Sequence, residues 1–117
     1  YRPVGLREWE LIEAAERLAF PPRLPHQPIF YPVLNESYAI RIARDWNVRD
    51  VNSGYVGIVT RFEVPDELFA RYEVQRVGDD TCLELWVPAE ELPEWNAALL
   101  GPIQDLHWFR PDGAVTS

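Results

Sequence analysis

An α+β domain is the fold class this sequence predicts, and three observations predict it. Apolar residues recur at helical spacing in two early segments, around residues 6–19 and 36–46. Residues 55–109 are dominated by alternating and β-rich runs. The two patterns are segregated along the chain and do not interleave as a regular βαβ array. A length of 117 residues suits one domain, read as residues 1–110 with a polar tail at 111–117.

The elements follow in order. Residues 1–4 read as a short strand, broken by Gly5. Leu11, Ala14, Ala15 and Leu18 then form a stripe at i, i+3, i+4 and i+7 in a helix over residues 6–19, with Glu13 and Arg17 as an i,i+4 pair. Prolines at 21, 22, 25 and 28 exclude helix and make residues 21–28 an extended loop. An aromatic strand, Ile29-Phe30-Tyr31, follows. Asn35 caps a helix running to Trp46, with Ala39, Ile42, Ala43 and Trp46 as its apolar stripe.

Residues 47–54 read as a polar loop. Residues 55–64 read as a strand with Val56, Ile58, Phe62 and Val64 on one face. A turn or one helical turn at 65–69, a strand at 72–77, a turn at Gly78-Asp79-Asp80 and a strand at 81–87 come next. Pro88 opens a helix to about Leu99, Gly101 stops it, and residues 103–109 form the last strand. Two to three helices are expected in all.

Composition removes several chemistries. All 11 basic residues are Arg and none is Lys, which excludes Schiff-base catalysis and a P-loop lysine. A lone Cys82 forms no internal disulfide or thiolate zinc cluster, and His26 and His107 are too few for a three-His metal site. No metal is expected. A net charge of −8 disfavours nucleic acid and anionic membrane as partners. No apolar run is long enough to span a bilayer. The chain lacks Met and reads as trimmed at Tyr1; no signal-peptide core is visible, and the cytoplasm is the expected location.

Three segments carry candidate chemistry. In Thr81-Cys82-Leu83-Glu84-Leu85-Trp86-Val87, strand alternation puts Leu83, Leu85 and Val87 on a core face and Cys82, Glu84 and Trp86 on the other. Glu84 is then a carboxylate among apolar neighbours, either a functional group or a half-exposed glutamate. Phe30, Tyr31 and Tyr38 offer ring faces to a planar ligand, or are core aromatics. Arg2 precedes a glycine turn and suits a phosphate, or is a plain surface arginine.

Together and in this order, these segments resemble the ADP-ribosyltransferase superfamily, a small α+β split sheet that grips NAD. Its signature is a His or Arg on an N-terminal strand, a middle Tyr or Ser segment, and a Glu on a late strand. Arg2, the Ile29-Phe30-Tyr31 strand with Tyr38-Ala39, and Leu83-Glu84-Leu85-Trp86-Val87 stand in those places. Phe-Pro-Pro-Arg-Leu-Pro and Glu-Leu-Trp-Val-Pro-Ala-Glu-Glu-Leu are also similar to short bacterial proteins labelled "ADP-ribosylation/crystallin", over nearly the whole chain.

The resemblance implies an NAD-dependent ADP-ribosyltransferase or NAD glycohydrolase. It implies Glu84 as the catalytic carboxylate that stabilises an oxocarbenium-like state, as in glycoside cleavage. Tyr31 or Tyr38 would stack on nicotinamide, and Arg2, with Arg61 as a weaker candidate, would contact phosphate or ribose. NAD is the implied partner, with a macromolecular acceptor that no spacing rule names. Two alternatives stand beside this reading. One is an inactive domain of the same fold that binds a nucleotide or a protein. The other is an interaction module with Trp86, Trp95 or Trp108 exposed.

Overall fold

The computed structural model describes residues 1–111 and the backbone of residues 115–116. Its elements are β1 (Arg2–Val4), α1 (Leu6–Ala14), β2 (Ile29–Phe30), α2 (Glu36–Asp45), β3 (Gly57–Arg61), α3 (Asp66–Phe69), β4 (Gln75–Arg76), β5 (Leu83–Glu84), β6 (Val87–Pro88), α4 (Leu92–Ala97), β7 (Gln104–Phe109) and β8 (Val115–Thr116). The class is α+β. Four α-helices are described, one of them a single turn, where two to three were expected. Of the tail expected at 111–117, residues 112–114 and 117 lie outside the described residues, and the backbone of β8 pairs with Trp108 and Phe109.

The principal sheet has strand order β1-β3-β7-β8, and its neighbouring strands run antiparallel. β3 is its central element and is buried from Gly57 to Thr60. Ile58 packs into one cluster, with Val4, Trp9, Ile12, Phe20, Phe30 and Trp95. Val59 packs into a second, with Val33, Ala39, Ala43 and Phe109. The sheet is therefore covered on both faces, by α1, Phe20 and α4 on one side and by α2 on the other. Val56, Ile58, Phe62 and Val64 all belong to the first cluster, as their alternation predicts.

A second pairing extends this sheet. Residues 29–34 run antiparallel to residues 83–88 in one register: Ile29 opposes Pro88, Phe30 opposes Val87, and Val33 opposes Glu84. The ladder is interrupted in the middle because Pro32 has no N–H to donate. Its carbonyl still accepts from Leu85 N at 2.9 Å, and Leu34 N donates to Leu83 O at 2.9 Å. The strand expected over 81–87 is thus present as β5 and β6 on either side of that gap. On the opposite edge, Val33 N donates to Tyr1 O at 2.7 Å and Tyr1 N donates to Val33 O at 2.9 Å. A continuous hydrogen-bonded run leads from β4 through β5, residues 32–34, β1, β3 and β7 to β8.

Two helical stripes differ from expectation. α1 buries Trp9 and Ile12, while Leu11 and Leu18 are exposed. Trp9 and Ile12, three residues apart, present more apolar area than the Leu–Ala stripe, so they take the core. The helix also ends at Ala14, because Glu16 and Arg17 adopt φ of 58° and 62°. In α2, Ala39 and Ala43 are buried as expected, but Trp46 lies past the last helical residue and is 69% exposed.

Those two alanines let α2 lie directly on β3. A Cβ added at Gly57 would collide with the backbone of Ala43. Gly57→Ala is therefore predicted to destabilise the fold by about 3 kcal/mol through overpacking of a site that cannot relax. Urea unfolding checks this, and a loss below about 0.5 kcal/mol would contradict the contact.

Candidate functional site

Alternation along the 29–34/83–88 ladder sorts the candidate residues onto two faces. Phe30, Leu85 and Val87 point into the core and are essentially buried. Glu84, Trp86 and Tyr31 share the other face, where Glu84 is half-buried while Tyr31 and Trp86 are exposed. Cys82, expected on that outer face, is buried instead, because the 79–82 turn closes over it.

Glu84 has two partners. Tyr38 Oη, from the first turns of α2, donates to Oε2 at 3.1 Å. Trp86 Nε1, two residues along the same strand, donates to Oε1 at 2.8 Å. Each carboxylate oxygen is thus oriented by one donor and keeps a further lone pair for a ligand. Burial, reinforced by the charge and hydrogen bond of Glu84, pushes the Tyr38 phenol up to about 12. At neutral pH it is a fixed neutral donor.

The turn before β5 ties this carboxylate to α2. Asn35 Nδ2 donates to Thr81 O at 2.6 Å and makes no cap bond to its own helix. Arg41 donates to the Cys82 Sγ at 3.7 Å and pairs with Asp79 at 3.6 Å. Hydrogen bonds from the Thr81 hydroxyl and backbone, and from the Cys82 thiol, hold the Asp79 carboxyl down at about 2. Arg41 and Asp79 had no assigned role in the sequence, and Trp86 was named there only as an exposed anchor for a partner, not as a partner of Glu84. Only Trp86 carried a legible signal, since residues i and i+2 of a strand share a face.

Arg2 stands apart from this group. It is 7% exposed, and its guanidinium makes a two-point pair with Glu8 of α1, Nε to Oε2 at 2.8 Å and Nη2 to Oε1 at 3.0 Å. Its Nη1 donates to Tyr31 O at 3.3 Å, and its Cζ lies 4.7 Å from the Phe30 ring centroid. Phe30 belongs to the core face, so Arg2 lies across the sheet from Glu84. The plain-surface reading of Arg2 does not hold either. Arg61 donates to Gln104 and Glu63 beside a separate cavity of about 130 Å³.

The structure thus brings Glu84 and Tyr38 into direct contact, with Tyr31 on the same face, and leaves Arg2 and Arg61 elsewhere. Of the three tryptophans proposed as exposed anchors, Trp95 is buried, Trp108 is half-buried and donates to Asp105, and Trp86 is exposed. Among the described residues no three His, Cys, Asp or Glu side chains converge in a way that would hold a metal ion. No described helix is long and apolar enough to cross a membrane. Comparison with protein families, curated proteins and solved structures finds no match to this chain.

Two outcomes are predicted. Ultraviolet titration should find Tyr38 ionising near 12, and Glu84→Gln should lower that value while leaving it above the ordinary 10, because burial is the larger cause. Tyr72, also pushed up to about 12 by burial and by Glu91, acts in the same direction. Both phenols hold their protons more tightly folded than unfolded, so stability should be full below pH 10 and fall as pH rises from 10 toward 12. Separately, Arg2→Ala should cost about 3 kcal/mol by leaving the Glu8 charge unpaired in a half-buried site. A near-neutral effect in chemical denaturation would mean that Arg2 is free for another role.

Proposed function

We propose that the chain cleaves the nicotinamide–ribose bond of NAD, as an ADP-ribosyltransferase or NAD glycohydrolase, with Glu84 as its catalytic carboxylate. The observation that carries this reading is the seam of the sheet. The N-terminal strand, the middle aromatic segment and the late glutamate strand lie side by side, through Tyr1–Val33 and Val33–Glu84 pairing. These are the three segments on which the resemblance to the transferase superfamily rests, and they meet at a carboxylate already oriented by Tyr38 and Trp86.

The chemistry follows from that carboxylate. The C1′–N bond breaks and its electron pair leaves with neutral nicotinamide. Positive charge develops on the ribose ring, as in glycoside cleavage. Glu84 accepts a hydrogen bond from the ribose 2′-hydroxyl, and its negative charge stabilises the developing cation more than the ground state. Water or an acceptor nucleophile then bonds to C1′ and loses its proton to solvent. Tyr38 and Trp86 keep the carboxylate aimed through the reaction, and the exposed ring of Tyr31 offers a stacking surface. Arg2 serves as a positioning residue in this reading, tying the Tyr31 carbonyl to α1 through Glu8.

A specific observation favours a second reading, an inactive domain of the same kind that binds a nucleotide or a protein. The guanidinium that would hold phosphate is already committed to Glu8. Nicotinamide release from NAD separates the two. Under the first reading the wild type releases nicotinamide, and Glu84→Gln lowers turnover by at least about 100-fold with folding retained. No release, together with a rise in thermal stability on adding NAD, would favour the second.

A further inference from the structure

Alternate carbonyls along an antiparallel strand point to the same edge. In the 29–34 segment, Pro32 O faces the 83–88 strand and accepts from Leu85 N, as Pro28 O does from Ala89 N. The carbonyls of Ile29, Tyr31 and Val33 face the other way, and each finds a different donor. Val33 O accepts from Tyr1 N, Tyr31 O from Arg2 Nη1 at 3.3 Å, and Ile29 O from Arg23 Nε at 3.0 Å. Two guanidiniums are thereby fastened to carbonyls two residues, or about 7 Å, apart on one strand edge.

A single carboxylate serves this pair. Glu8 spends both of its oxygens on Arg2, and among the described residues no carboxylate lies within ion-pair distance of Arg23. Nη1 and Nη2 of Arg23 likewise find no acceptor among the described residues. Arg7 and Arg49 also lack an ion pair, but both are exposed to water, whereas Arg23 is half-buried. Burial, reinforced by the charge of Arg2, pushes the Arg23 guanidinium down from its ordinary value, and Glu8 and the Tyr31 phenol offset this only in part. A half-buried cation beside a like charge is unfavourable until an anion joins it. The loop nevertheless holds it in place. Arg23 belongs to Phe20-Pro21-Pro22-Arg23-Leu24-Pro25, whose prolines restrict the backbone, and Gln27 N donates to Leu24 O at 2.8 Å while Leu24 N donates to Gln27 Oε1 at 3.3 Å.

We propose that this strand edge is a binding site for the phosphate group of a phosphomonoester, gripped by Nη1 and Nη2 of Arg23 within the combined charge of Arg23 and Arg2. The planar fork of the guanidinium matches two phosphate oxygens. A phosphate dianion gains more from two neighbouring positive charges than a carboxylate does with its one negative charge. Tyr31, 39% exposed and near enough to Arg23 to act on it electrostatically, offers its ring to the ester group. The proposal does not depend on the reading given to Glu84.

Titration of phenyl phosphate into the ¹⁵N-labelled full-length protein tests it, followed on the backbone amides of residues 23–31 at constant ionic strength and at a pH that keeps the phosphate doubly charged. Those amides should shift saturably, with a Kd on the order of millimolar. Inorganic phosphate should bind about threefold more weakly for want of the ring, and benzoate at least about tenfold more weakly. Arg23→Gln should weaken phenyl phosphate at least about tenfold, the loss of a charged two-point contact, whereas Arg7→Gln removes the same charge from an exposed position and should change it less than about twofold. Tyr31→Ala should bring phenyl phosphate to the affinity of inorganic phosphate. Absence of a saturable shift, binding of inorganic phosphate alone, benzoate binding as tightly, or an Arg23→Gln effect no larger than that of Arg7→Gln would overturn the proposal. If Arg23→Gln fails to fold, Arg23→Lys keeps the charge without the fork and should weaken phenyl phosphate about fivefold. Unchanged affinity in that variant would overturn it equally.

Discussion

The structure depends on the segment from Ile29 to Leu34 being hydrogen-bonded along both edges. On one side it pairs with residues 83–88, and on the other Val33 exchanges both backbone bonds with Tyr1. Without this segment β1 would be an edge, β5 would pair with β4 alone, and Glu84 would stand on an isolated two-stranded ribbon, which is marginal in water. Pro32 is tolerated there because only its carbonyl is needed, by Leu85 N.

That constraint divides the chemistry by face. Residues on one side of the seam enter the main core with Phe20, Phe30 and Trp95, whose rings contact one another edge-on or tilted. Residues on the other side meet α2, which is held close to β3 by Ala39, Ala43 and Gly57. Glu84 falls on the α2 side by alternation and finds Tyr38 there. Arg2 falls on the other and finds Glu8. The same parity that pairs a carboxylate with a phenol therefore removes the arginine from it.

Much of this was legible in the sequence, and the failures have physical causes. The core positions of Leu85 and Val87 and the Val56–Ile58–Phe62–Val64 face follow from alternation, which is local. Leu83, by contrast, is only half-buried, and Asn35 sits at the helix start without making the cap bond expected of it. The α1 stripe was misjudged because two stripes of comparable spacing compete on that helix, and the bulk of Trp9 and Ile12 decided between them. Trp46 was assigned to a buried face because spacing alone does not tell where a helix stops. Within the candidate site, Glu84 and Tyr38 were identified separately, but their contact spans 46 positions. The Arg2–Glu8 pair depends on how a strand turns into a helix at Gly5, which no side-chain pattern encodes.

In the proposed function, NAD engages the Glu84 face of the seam. The most direct measurement of that contact is a titration of NAD against the ¹⁵N-labelled indole resonances, with that of Trp86 assigned through Trp86→Phe. Trp86 Nε1–H donates to the Glu84 carboxylate, so it reports on whatever joins that group. NAD bound at this face should give a saturable shift of Trp86 that Glu84→Gln alters in magnitude, with the core resonance of Trp9 unmoved. A saturable response confined to other tryptophans, or none at all, would contradict it.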